Sequence, residues 1–258
     1  MTLEVIWADE RRWYEVEIEY AEHPHESYLF LSDISDLLQQ EACRFDTALE
    51  AAVSTFEQIL AHSRSLSREK QVGIYGELMF LQHCIQEASA ASAITAWKGF
   101  AENEHDFVFP DGSFEIKTTT SEARRHRISS LDQLSPVPGS PLWLVSIQVT
   151  AATPATGRTL ADVVDETRQM AGHHPELDKS LARAGWRERD RATYRNPYRL
   201  RSTPAAYKID DQFPSITRAA LVRASARPEL IINASYVIDL TALTPGEPPS
   251  PAGRFIEE

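Results

Sequence analysis

The run HDFVFPDGSFEIKTTT, residues 105–120, constrains the fold more than any other part of the chain. Asp111-Gly112 between two alternating runs is a strong signal for a two-residue type I′ hairpin turn. A turn there predicts Phe109 opposite Phe114, Val108 opposite Glu115, Phe107 opposite Ile116 and Asp106 opposite Lys117. Residues paired across an antiparallel ladder share a face, and faces alternate along each strand. Phe107, Phe109, Phe114 and Ile116 are thus expected on one apolar face, with Asp106, Glu115 and Lys117 on the other.

Two carboxylates and an ammonium on one strand-pair face suit a particular chemistry. Mg²⁺ prefers oxygen ligands, keeps several waters and is commonly held by one or two carboxylates plus a substrate phosphate. Asp106 and Glu115 can supply the carboxylates, and the backbone carbonyl of Ile116 a further oxygen. Such a metal polarises a phosphate and activates a bound water. Lys117 would orient that water and offset developing charge. A lysine beside two carboxylates stays protonated unless strongly desolvated. The same three residues would also suit a solvated strand face with a cross-strand salt bridge.

The charge distribution bears on the partner. The net charge of −12 is unusual for a chain that meets nucleic acid. Its distribution is uneven: residues 1–62 hold 14 Asp/Glu against three Arg, whereas residues 181–227 hold 11 Lys/Arg against four Asp/Glu. The basic segment is expected to meet an anion and the acidic one to face elsewhere, although both also suit solvated faces. Only Cys43 and Cys84 occur, which offers no disulfide framework or zinc motif and fits a reducing cytoplasm. The first residues, MTLEVIWADE, lack the form of a signal peptide, and no apolar run is long enough to cross a bilayer.

Alternation predicts strands at residues 12–20, Leu3–Trp7 and Tyr28–Leu31, an acidic β-rich elaboration over residues 1–45. Leu49, Val53, Phe56 and Leu60 recur at helical spacing, predicting a helix over 46–62. A second helix is predicted from about Arg68 to Glu87, where Gly73 and Gly76 suggest close approach by a backbone or ligand. Strands are expected at Ile94–Trp97, His105–Phe109, Ser113–Thr119 and Leu142–Thr150. A basic loop and a helical turn at SSLDQL (129–134) lie between the last two. Thr159 and Asp162 form a capping-box pattern opening a helix that Gly172 can close. A helix at Pro175–Ala184 and strands at Ala205–Ile209 and Leu230–Leu240 complete an α/β domain over 46–243. The Pro- and Gly-rich tail, 244–258, is expected to be disordered. Trp97, Trp143 and Trp186 are expected in the core.

GIYGELMFL (73–81), WKG (97–99), HDF (105–107), FEIKTTT (114–120), SSLDQL (129–134) and the strand LWLVSIQV together resemble the bacterial PD-(D/E)XK motif proteins first catalogued as a domain of unknown function. That family is similar to restriction-endonuclease-like nucleases and is found in restriction and phage-defence gene clusters. The resemblance covers about residues 65–240. It implies an αβββαβ core with a mixed central sheet and a C-terminal α/β extension. Asp106, Glu115 and Lys117 match the motif, although the Pro-Asp pair that names it is His-Asp here. The opening helix of such folds often carries a carboxylate near the metal, which implies a role for Glu77. The resemblance also places the loop of Arg124, Arg125 and His126 beside the site as phosphate contacts, with Ser130 and Gln133 nearby. Ser130 and Gln133 would equally serve as caps of the following turn.

The resemblance thus implies a Mg²⁺- or Mn²⁺-dependent deoxyribonuclease within a bacterial defence or restriction system, with a methyltransferase, helicase or ATPase as partner and a homodimer as one arrangement. An RNase would use the same residues. The alternative from another class is a nuclease fold serving as a binding or assembly subunit. Net acidity and the lack of a DNA-reading module point that way.

Overall fold

The computed structural model describes residues 2–9, 11–17, 24–40, 43–98, 105–137 and 139–256. The chain divides between Ser65 and Leu66 into two compact units. The first unit begins as a hairpin of β1 (Thr2–Ala8) and β2 (Arg11–Glu17), paired Val5 to Tyr14 and Leu3 to Val16. Two helices follow, α1 (Pro24–Gln40) and α2 (Phe45–Arg64). Phe30, Ile34 and Ala52 are buried between them, with Val16, Phe45, Leu49 and Val53 packed around. Tyr28–Leu31 is therefore helical, not a strand. Phe30 and Ile34 lie four residues apart on one side of α1, and that spacing buries an apolar stripe in a helix but not in a strand. Of the strand expected over 12–20, residues 18–20 lie outside the described residues. The side chains of Phe56 and Leu60 do as well.

The second unit opens with α3 (Arg68–Glu87), whose N-cap Ser67 accepts from the Lys70 amide. A short helix, α4 (Ala90–Ala96), replaces the strand expected at Ile94–Trp97. Ser89 caps it through the Ser92 amide, and an alanine-rich stretch with a good cap is a better helix than strand. Next come β3 (Phe107–Phe109), β4 (Gly112–Thr119), β5 (Arg125–Ile128) and β6 (Leu142–Ala151). Helix α5 (Leu160–Met170) opens with the predicted Thr159–Asp162 capping box, and α6 (Pro175–Arg183) follows. The chain then forms β7 (Tyr198–Leu200), β8 (Ala205–Lys208), α7 (Arg218–Ala224) and β9 (Tyr236–Asp239). Among the described residues, no helix is long and apolar enough to cross a membrane.

The central sheet runs β3-β4-β6, and β7 and β8 share the far edge of β6. It is mixed: β4 and β6 are parallel, and the other pairs are antiparallel. The order α3, β3, β4, β6, α5, β8 is helix, three strands, helix, strand. Strand β6 shows how the two faces are used. Trp143, Val145, Ile147 and Val149 join the core packed on α3 and α5, with Leu78, Phe80, Phe107 and Phe114. Leu142 and Leu144 face a second core with Ile128, Tyr207, Ile238 and Leu240. Ser146 and Gln148 continue that second face as buried polar residues.

Two further expectations fail in this unit for identifiable reasons. The basic loop contains β5, which pairs with β9 to make a two-stranded ribbon; SSLDQL after it is a turn. Arg-His-Arg-Ile alternates exposed and buried positions, a strand pattern hidden because its first three residues are polar. The tail is packed rather than disordered: Ala252 and Phe255 are buried in the main core, Phe255 lies 5.3 Å from Phe80, and the Pro251 carbonyl contacts His83 Nε2 at 2.8 Å. One aromatic anchor outweighs a composition rich in Pro and Gly.

Candidate active site

The hairpin forms, but its register differs from the predicted one. Phe114 faces Phe107, Ser113 faces Val108 and Gly112 faces Phe109. The tight turn is therefore Phe109-Pro110-Asp111-Gly112, with proline second and glycine last, the positions where fixed φ and absent Cβ fit a type I turn. Relative to the prediction each residue meets a partner two positions away. Because side chains alternate with period two, the faces survive the shift. Phe107, Phe114 and Ile116 are buried in the core, Phe109 packs against it, and Asp106, Glu115 and Lys117 lie on the opposite face.

Strand β3 is short, so β4 loses its antiparallel partner beyond Phe114. Asp106 takes over there: its Oδ2 accepts from the Ile116 amide at 2.7 Å. Lys117 Nζ lies 2.9 Å from Glu115 Oε1, and both side chains are largely buried. Glu77 enters from α3, where its Oε2 accepts from Trp97 Nε1 at 2.8 Å. The backbone after α4 fixes the same junction, because the Lys98 amide donates to the Asp106 carbonyl at 2.7 Å and Trp97 bridges to Phe107.

Gly76 accounts for how closely α3 crosses β4. A Cβ at Gly76 would fall 1.8 Å from Thr118 Oγ1, so only glycine permits this crossing. Gly73 is different: a Cβ there would meet nothing within 4 Å, and the residue lines an open cleft of about 710 Å³. The cleft also exposes Glu77, Asp106, Glu115, Ile116, Lys117 and Thr118–Thr120.

The electrostatics follow from burial of three carboxylates around one ammonium. Burial, with the Glu115 charge adding and Trp97 opposing, pushes Glu77 up to about 7. Asp106 is held well above the usual carboxylate range by burial, then by Glu115 and Glu77. Burial pulls Lys117 down, but Glu115 and Asp106 outweigh it and keep the ammonium protonated beyond the ordinary lysine value. Without a metal, Lys117 thus carries a positive charge in the site. Among the described residues no three His, Cys, Asp or Glu side chains form a ready ligand cluster. The donor set still fits a hard cation completed by water and substrate: hard carboxylate oxygens stand together, and a bound cation would displace the protons that burial keeps on Glu77 and Asp106.

The remaining predicted site residues separate. Arg125, His126 and Gln133 line the cleft, whereas Arg124 and Ser130 do not. Arg124 turns inward and donates to Ser146 O and Oγ, Ser202 Oγ and Thr203 O. His126 is buried with Nε2 2.7 Å from Ser146 Oγ, and burial, then Lys117 and Arg124, lowers it to about 3, so it stays neutral. Gln133 Oε1 accepts from the Ser129 amide, the capping alternative. The basic 181–227 segment does not line the cleft; within it Arg191 pairs with Asp165 and Glu188, and Arg187 donates to backbone carbonyls. Arg68 and Arg127 also line the cleft, outside the residues that the motifs indicate. For Trp97, expected only in the core, the signal was available: a buried indole N–H needs an acceptor.

A mixed sheet carrying Asp106 and the Glu115-Ile116-Lys117 triplet beside one cleft defines a nuclease-like protein of the PD-(D/E)XK class. Residues 19–241 match the family described as "Putative PD-(D/E)XK family member, (DUF4420)", and the chain belongs to that family. No match was found among curated proteins or among solved structures.

Proposed function

We propose that this protein is a Mg²⁺- or Mn²⁺-dependent nuclease that hydrolyses phosphodiester bonds in DNA, acting in a bacterial defence or restriction system. The convergence of Asp106, Glu115, Lys117 and Glu77 on one open cleft carries this reading. Asp106 and Glu115, with the Ile116 carbonyl, would hold the metal. When bound, the metal polarises the phosphate and acidifies a water. Lys117, fixed by Glu115, orients the attacking water and offsets charge on the phosphate. Glu77 adds a further carboxylate to the site. The setting proposed is the bacterial cytoplasm, with a methyltransferase, helicase or ATPase as partner and a homodimer as one arrangement. Incubation of the purified chain with supercoiled plasmid and Mg²⁺ tests the reading. Nicking lost in both Asp106→Asn and Glu115→Gln is expected; wild-type-level nicking in folded Glu115→Gln overturns it.

One observation favours a second reading, an assembly subunit without activity. Glu77, Asp106 and Glu115 each have an oxygen engaged by a protein donor. Calorimetry with Mn²⁺ separates the two, since an active site binds the ion and loses it in Asp106→Asn.

A further inference from the structure

We propose that Arg127 is the side chain that grips the nucleic-acid backbone beside the scissile phosphate, and that the β5–β9 ribbon is the wall along which the strand runs. This rests on the nuclease reading and assigns the substrate contact within it. Strand β5 exposes Arg125 and Arg127 on one face and buries His126 and Ile128 on the other. The charge of Arg125 is met across the ribbon by Asp239, its register partner, at 2.8 Å. Arg127 instead faces Val237, an apolar and mostly exposed residue that also lines the cleft. It makes no hydrogen bond or ion pair with a described residue, while Arg124 is spent on Ser146, Ser202 and Thr203.

The rest of the cleft needs such a cation. Glu69, Glu77, Asp106 and Glu115 line it, the Lys117 charge is taken by Glu115, and Arg68, the other arginine at the wall besides Arg125, is held by its Nε on the Tyr198 hydroxyl. A polyanion entering this acidic cleft requires a positive partner not already neutralised. Arginine supplies one with a planar fork matched to two phosphate oxygens. The ribbon holding it is fixed from beneath by the His126 contact to Ser146 and the inward bonds of Arg124, so little ordering is lost when phosphate arrives.

The test reads fluorescence anisotropy of the full chain with short fluorescein-labelled duplex DNA and RNA of the same sequence, with Ca²⁺ replacing Mg²⁺. KM for plasmid nicking with Mg²⁺ is read alongside. Arg127→Gln should raise Kd or KM roughly tenfold, the loss of one charge-assisted contact. It should also flatten the salt dependence by about one unit of log–log slope. Arg127→Lys should restore the slope but not the full affinity. Arg218→Gln, which removes another exposed arginine, paired with Asp132 outside the cleft, should change neither. Preference between the two probes assigns the strand type. If the wild type nicks and Arg127→Gln matches it in affinity and slope, the inference falls and the nuclease reading stands. If the wild type neither binds nor nicks, both fall.

Discussion

The indole Nε1 of Trp97 donates to Glu77 Oε2 across 2.8 Å, tying the residue that ends α4 to the carboxylate in the middle of α3. Trp97 is almost fully buried, so the bond both satisfies the indole and fixes the Glu77 rotamer. Trp97→Phe keeps most of the packing and removes only the donor. A hydrogen bond to a buried carboxylate contributes about 1–2 kcal/mol. Urea unfolding of Trp97→Phe should register a loss of that order. Calorimetry should register weaker Mn²⁺ binding, because Glu77 is no longer aimed at the cleft. Unchanged values in both would show that the indole does not position Glu77.

The pH dependence of stability follows from the same cluster. Glu77 is raised from 4.5 to about 7, and Asp106 is also raised. The native state therefore binds these protons more tightly than the unfolded chain does. Stability from the pair is full below the ordinary carboxylate range and is lost as pH rises through the raised values. The Tm of metal-free protein should fall between about pH 5 and 8. Glu77→Gln should flatten that slope, and Mg²⁺ should flatten it in the wild type by supplying the missing positive charge. A metal-free Tm that rises over this interval would contradict the assignment.

How far the site is legible in the sequence depends on the range of the interaction involved. The hairpin faces depend on period two and a turn, both local, so Asp106, Glu115 and Lys117 fall together even with the register misplaced by two. The capping box at Thr159 is equally local and forms as written. What escapes reading is set by distant partners. β5 is a strand because β9, more than a hundred residues on, pairs with it. Arg124 leaves the cleft because Ser202 and Thr203 receive it. The tail is ordered because Phe255 finds Phe80. Arg127 and Arg125 look alike in sequence and differ only in facing Val237 and Asp239.

The buried Lys117–Glu115 pair is coupled in folding as well as chemistry. Lys117 is 16% exposed and Glu115 4%, so removing the ammonium strands a carboxylate away from water. Lys117→Met should abolish nicking and destabilise the protein by about 3 kcal/mol. Glu115→Gln in the same chain removes the stranded charge. The double variant should then lose less than the sum of the singles, by roughly 1–3 kcal/mol in a denaturant cycle. Additive losses would mean that the two groups do not interact in solution.

Gly73 and Gly76 occupy the same helix one turn apart, and opposite outcomes are expected for them. Alanine at Gly76 would drive its Cβ onto Thr118 Oγ1, forcing α3 away from β4 where the cleft is built. Overpacking of this kind costs about 1–3 kcal/mol. Thermal unfolding of Gly76→Ala should show that loss, and Thr118→Ala in the same chain should recover part of it by removing the hydroxyl. Alanine at Gly73 meets no atom within 4 Å. It should therefore gain up to about 1 kcal/mol from helix propensity. The added methyl group does project into the cleft that Gly73 lines. Gly73→Ala should thus raise Tm while weakening nucleic-acid binding. A stabilised Gly73→Ala with undiminished affinity would place the substrate path away from α3.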